Sequence, residues 1–385
     1  MEEIPQKHGL VGLLHEKPFM GVNGSGKHNN FSLGTPEGVN LYNGPQLTEK
    51  SGNADLFPVI IAATVAALDT HGDLMRMAIA SPGNDFRLGA CEAPPAIIST
   101  YLGEALTTFL DEYRNGVTGK NYKPLKKTID LGIDGVAPFT VPAEDRNRTS
   151  PFPYGGHRFE FRAAGSSQNV SMINTVLCTI LAESFKSFAD AIEAGEKPQA
   201  VAAKALNEHW KVIFNGNGYS AEWPIEAGKR GVWRIDSGVE SMAKLLDGKN
   251  TALFESMGVM STKESVARAE IMFEHYSGVV EIEAKCMIDM ITQHVLPSCA
   301  KAGISASAVN AGLSAVKKGL DGAMALEGQA MAEAMRTLRL ETMEATRKAC
   351  DEAEGLVPPS MWTLSTYKEL LFLDFNEPAH AGMQL

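Results

Sequence analysis

Five consecutive residues, Arg158-Phe-Glu-Phe-Arg162, alternate strictly between charged and aromatic side chains. On a strand, successive side chains point to opposite faces. Phe159 and Phe161 therefore enter a core, while Arg158, Glu160 and Arg162 share the other face. The segment needs a strand partner, and most of the remaining chain has helical spacing of its apolar residues. The region set to meet it is Gly21-Val-Asn-Gly-Ser-Gly-Lys-His-Asn-Asn-Phe-Ser-Leu33, read as a loop. Its glycines permit positive φ and close approach to a ligand, and Leu10-Val-Gly-Leu-Leu14 ahead of it reads as a buried strand. Taken singly, an Arg-Glu-Arg face is most often a solvated face with ion pairs, and a Gly/Asn/Ser loop is most often only a loop. The sharper reading joins them. His28 and Glu160 meet on one divalent cation, Mg²⁺ or Mn²⁺, with the imidazole tilting the choice toward Mn²⁺, and the arginines face anionic groups beside it.

The chain has 385 residues, a length that predicts two or three domains. Its formal net charge of −11 argues against a general nucleic-acid or anionic-membrane surface. The five cysteines, Cys91, Cys178, Cys286, Cys299 and Cys350, show no C-x-x-C spacing and read as reduced thiols. No apolar run approaches the roughly 18 residues of a membrane span, and Met1-Glu-Glu-Ile shows no signal pattern. Together these point to the cytoplasm.

Helical spacing is read over Leu56–Ala80, 96–114, 171–194 and 198–214, with Gly195-Glu-Lys-Pro breaking between the last two. From Ser237 onward the chain is mostly helical. Met272, Tyr276, Val279, Cys286 and Met290 are expected on one face, and Leu313, Val316, Leu320, Met324, Met331, Met335 and Leu338 form a second stripe. Pro297 and Gly303 are expected to separate two long antiparallel helices, with His275 and His294 as structural residues. Ser365 or Thr366 is set to cap the last helix. Trp223 and Trp233 flank Gly228-Lys-Arg-Gly231; a packed surface loop is the favoured reading over base stacking.

Two irregular stretches carry charge. Ser81 to Pro95 contains Arg87 and Glu92 among prolines and glycines. Glu144-Asp-Arg-Asn-Arg-Thr-Ser-Pro places Arg146 and Arg148 beside turn formers, where a guanidinium fork can meet a phosphate.

These motifs, in this order, resemble the glutamine synthetases, and the long type III variant fits best. Asn-Gly-Ser-Gly-Lys-His with Asn-Asn-Phe-Ser-Leu looks like their ATP-and-metal loop, Glu-Ala-Pro at Glu92 like their substrate flap, Asn147-Arg148-Thr149 like their phosphoryl arginine signature, and Arg-Phe-Glu-Phe-Arg like their metal-glutamate strand. The resemblance implies an α+β fold. Residues 1–236 would be the C-terminal part of a catalytic domain, an antiparallel sheet with packed helices, and 237–385 a helical type III extension. It implies ATP-dependent ligation of ammonia to glutamate through a γ-glutamyl phosphate, with Mg²⁺ or Mn²⁺, in a homo-oligomer of stacked rings.

By that resemblance Glu92 holds and deprotonates ammonium, and Arg148 stabilises the transferring phosphoryl group. Asn23, Gly24, Arg87 and Arg162 contact glutamate; Asn30, Ser32, Arg148 and Arg158 contact the nucleotide; His28 and Glu160 bind metal. Three departures stand out. Asn30 occupies a position where many relatives have histidine. Pro153 stands where a further arginine is found. The glutamates expected ahead of the loop have no match in Glu2, Glu3 or Glu16, so the chain reads as beginning within the catalytic domain, with little activity expected of it alone. A γ-glutamyl ligase for another amine, and a non-catalytic assembly subunit, are the alternative readings.

Overall fold

The structure is a computed structural model that describes residues 3–12, 26–85, 96–124, 127–129, 131–133, 135, 137, 139–141, 150–166 and 168–372. It divides into two compact units, Gly26–Ala269 and Glu270–Leu385 with Met1–Ser25.

The strands are β1 (Gly26–Phe31), β2 (Thr100–Tyr101), β3 (Lys127–Ile129), β4 (Phe139–Val141), β5 (Phe152–Pro153) and β6 (Phe159–Gly165). Among the described residues they form three two-stranded pieces: β1 with β6 and β3 with β4, both antiparallel, and β2 with β5, parallel. The rest is mostly helical, in keeping with an α+β chain. Two expectations are corrected. Residues 26–31 of the supposed loop are strand β1. Residues 10–12 are not strand, and Leu10 is 63% exposed. The Leu10 N–H donates to the Pro5 carbonyl, closing the short helix Glu3–Lys7, so it is spent on a helix end.

In the first unit the apolar helix Leu56–Thr70 is buried along nearly its whole length. A helix hydrophobic all round belongs at a centre, and Ser171–Glu193 and Pro198–His209 pack against it. Its C-terminal end is polar. Asp69 sits there, where the helix dipole disfavours a carboxylate, and His209 and Lys211 answer it at 2.8 and 3.4 Å. One turn on, buried Asp73 accepts from Asn250 at 2.9 Å and pairs with Lys249 at 3.0 Å. Lys249 also lies over the Trp233 ring at 4.6 Å. Trp223 is buried, stacked on Phe214 at 3.6 Å. The two tryptophans are packing residues, but the expected surface loop is in large part a helix, Glu222–Arg230, ended by Gly231 in the left-handed region.

The long helix Thr262–Met290 begins in the first unit and continues into the second; it starts from a capping box, in which Ser261 and Glu264 exchange hydrogen bonds. Its buried stripe is Phe273, Tyr276, Val280 and Ala284, so Cys286 and Met290, expected inside, are exposed. The helical run continues through a widened π turn at Ile291–Val295 into Leu296–Ala302, ending at Gly303 in the left-handed region. Pro297 therefore does not break it. The wide turn just ahead accommodates a residue with no N–H and a bulky ring. Helices Ser307–Met324, Gly328–Thr337 and Glu344–Leu356 follow. Ile291, Val295, Cys299, Val309, Leu313, Ala353 and Val357 make a shared core. Gly312 permits close contact of two helices, since a Cβ there would meet Thr346 at 2.8 Å. Met324 is exposed, unlike most of its stripe. His294 bonds Thr363 at 2.9 Å, a structural role as expected, and Thr366 caps the last helix, Tyr367–Leu371, in a capping box with Glu369.

Candidate functional site

β1 and β6 pair with Phe31 opposite Phe159, Asn29 opposite Phe161 and Asn30 opposite Glu160. Phe159 and Phe161 are fully buried. Phe159 stacks on Phe152 at 4.7 Å and meets the Tyr42 ring edge-on at 5.0 Å. Aromatic packing of this kind holds the ribbon from beneath. Asn29 bonds Asn174 on the same side at 2.8 Å, and Lys27 reaches the Gln168 carbonyl at 2.8 Å.

The other face carries the charge. The register shifts between Lys27 and Asn29, so His28 lies opposite the irregular part of β6. His28 Nδ1 stands 2.8 Å from Glu160 Oε1. The second carboxylate oxygen accepts from Arg162 Nε and Nη2 at 3.2 and 3.1 Å. Burial alone pushes the Glu160 carboxyl up. The Arg162 charge and hydrogen bonds, with those of His28, outweigh it and hold the group below its usual value. Arg158 Nε donates to Asn30 Oδ1 at 2.6 Å, and its Nη1 lies 3.1 Å from His157 Nε2. Ser32 Oγ is near, bonded to Asn40 Oδ1 at 3.1 Å and the His157 carbonyl at 3.2 Å.

The ribbon thus brings six of the expected site residues together: His28, Asn30, Ser32, Arg158, Glu160 and Arg162. Asn23, Gly24, Arg87, Glu92 and Arg148 lie outside the described residues. Two participants were missed by sequence reasoning. His157 immediately precedes the recognised strand, and Asn40 sits in the turn-rich Gly34–Pro45 stretch. The only signal for Asn40 was its place among turn formers, which does not distinguish it from Asn43, a helix cap.

An imidazole nitrogen and a carboxylate oxygen at this separation suit a small divalent cation in kind. They are part of a shell: no group of three or more His, Cys, Asp or Glu able to hold a metal occurs among the described residues.

Comparison with known proteins decides the kinship. A family model described as the glutamine synthetase C-terminal domain matches residues 198–309. A type-3 glutamine synthetase of Dictyostelium discoideum is 36% identical, over 97% of this chain and 56% of its own length. A glutamine synthetase of Butyrivibrio fibrisolvens is 34% identical, over 97% of this chain and 57% of its own. Along nearly its whole length this chain is similar to glutamine synthetases. A third member, from Bacteroides fragilis strain YCH46, is 39% identical over 77% of the chain and 42% of its own length. The chain spans about half the length of the curated relatives it matches. In this glutamine synthetase relative no described helix is long and apolar enough to cross a membrane.

Proposed function

We propose that this chain provides the metal-and-phosphate face of an ATP-dependent ligase that joins ammonia to glutamate. The observation carrying the reading is the His28–Glu160 approach of 2.8 Å across a bulged ribbon, flanked by Arg158 and Arg162 on the same face.

His28 Nδ1 and Glu160 would hold one divalent ion, Mg²⁺ or Mn²⁺. When bound, that ion supplies neutralisation of phosphate charge, which is most of what phosphoryl transfer asks of an enzyme. Arg158 presents a guanidinium beside it for the ATP phosphates. Arg162 holds Glu160 ionised, as the lowered carboxyl indicates, and lies on the same face, where it would meet the carboxylate of glutamate. Asn30 and Ser32 border the nucleotide.

Family resemblance extends the reading to Asn23, Gly24 and Arg87 for glutamate, Arg148 for the transferring phosphoryl group, and Glu92 for ammonium. Attack of the glutamate γ-carboxylate on the γ-phosphorus gives an acyl phosphate and ADP. Ammonia then displaces phosphate to give glutamine. On the same reading copies of the chain assemble as stacked rings in the cytoplasm.

The test is Mn²⁺ titration followed by electron paramagnetic resonance, together with ATP-dependent phosphate release in the presence of glutamate and ammonia. Wild-type chain should bind Mn²⁺, and H28A and E160Q should each lose that binding. Equal Mn²⁺ affinity in all three proteins rejects the metal assignment and the ligase reading with it.

A further inference from the structure

We infer that Asn40 is a positioning residue for Arg158, acting through the peptide that precedes it; the inference deepens the proposed function and rests on Arg158 meeting nucleotide phosphate.

Arg158 closes a tight turn between β5 and β6. The Gly155 N–H donates to the Arg158 carbonyl at 2.8 Å, and Gly156 takes a φ of 83°. Inside the turn, the Tyr154 hydroxyl reaches the carbonyls of Gly156 and Tyr42 at 2.8 and 2.7 Å. The peptide joining His157 to Arg158 is then seized from outside. Asn40 Nδ2 donates to the His157 carbonyl at 2.8 Å, and Ser32 Oγ stands 3.2 Å from the same oxygen.

Asn40 is itself fixed. Its Oδ1 accepts the Tyr42 N–H at 2.9 Å, and its own N–H donates to Gln46 at 3.1 Å. The amide of Asn40 therefore couples two jobs. Its oxygen folds the local turn, a frequent use of asparagine. Its nitrogen sets the peptide plane from which the Arg158 side chain departs.

At the far end of that side chain, Asn30 takes Nε at 2.6 Å and His157 Nε2 lies 3.1 Å from Nη1. With its root and one edge both fixed, the guanidinium is preorganised. A preorganised donor costs less to align when an anion arrives.

A double-mutant cycle on the full chain separates this from a loop-tying role. N40S leaves a hydroxyl that still accepts the turn N–H but does not extend to His157. Alone, it should weaken Mg·ATP binding by about tenfold, read by calorimetry. In an R158A background it should change the affinity by less than about twofold, the mark of two residues acting as one. The same fold loss in both backgrounds overturns the inference.

A readout without nucleotide guards against a chain that binds no ATP. The Arg158 Nε–H resonance, assigned with R158K, should exchange slowly with water in wild type and faster in N40S. Unchanged exchange in N40S overturns the positioning role. Slow wild-type exchange with no Mg·ATP binding instead overturns the nucleotide reading and leaves the positioning intact.

Discussion

Two histidine–carboxylate pairs in the Gly26–Ala269 unit have the same length and opposite surroundings. His28 and Glu160 approach to 2.8 Å, with side chains 41% and 19% exposed. His209 and Asp69 also approach to 2.8 Å, with side chains 16% and 4% exposed. The first pair lies on the open face of a ribbon between two arginines. The second is largely sealed at the C-terminal end of the apolar helix Leu56–Thr70, with Lys211 3.4 Å from the carboxylate. Distance alone therefore says nothing about role. An open pair keeps its ligand-binding atoms reachable and contributes little to stability. A sealed pair offsets a large desolvation cost and is destabilising to break.

The largest expected effect comes from breaking the sealed pair. H209A should destabilise the unit by about 3–5 kcal/mol, the range for taking a partner from a buried carboxylate, measured by urea denaturation. A loss under about 1 kcal/mol would make the two pairs alike and end the contrast. F159A comes next, at about 3–5 kcal/mol for truncating a buried aromatic. Unlike H209A, it should also weaken Mn²⁺ binding, because it removes the floor beneath the open pair; both are read on one sample by titration and melting.

H28A inverts the pattern. Its stability should stay within about 0.5 kcal/mol of wild type. Its Mn²⁺ affinity should fall at least about tenfold, the loss seen even for outer partners of metal ligands.

The smallest effect is in the pH dependence of E160Q. A depressed folded-state pKa contributes stability that is fully present above the ordinary carboxylate value, about 4.3. That contribution is lost as pH falls through the lower folded value. Wild type should therefore exceed E160Q by less than about 1 kcal/mol at neutral pH, and the curves should converge in acid. Divergence in acid would mean that Glu160 is not held ionised by its neighbours.

What the sequence revealed follows the same contrast. The open pair was legible because its residues recur in a recognisable order and because Phe159 and Phe161 announce a strand by alternation. The sealed pair was invisible: Asp69 closes an apolar helix and His209 closes another, and no local pattern ties them. The β1 strand was hidden because Gly26-Lys-His-Asn-Asn-Phe has weak strand propensity, so its extended form comes from pairing with β6. Pro297 misled for a related reason. Its cost depends on the turn before it, and a π turn is not written in periodicity. Asn40 was missed because an asparagine tying a loop and one steering a guanidinium look identical in one dimension.

The irregular register opposite His28 has a consequence for how this chain tolerates change. His28 and Glu160 are 132 positions apart, and the span between them holds the buried helix Leu56–Thr70. Exposed turns in that span, such as 115–119, should accept added residues without disturbing the pair. One residue added within β6 would exchange Glu160 for a phenylalanine on the working face. Genetic drift in length should therefore be absorbed by those exposed turns and refused by the seven residues of β6.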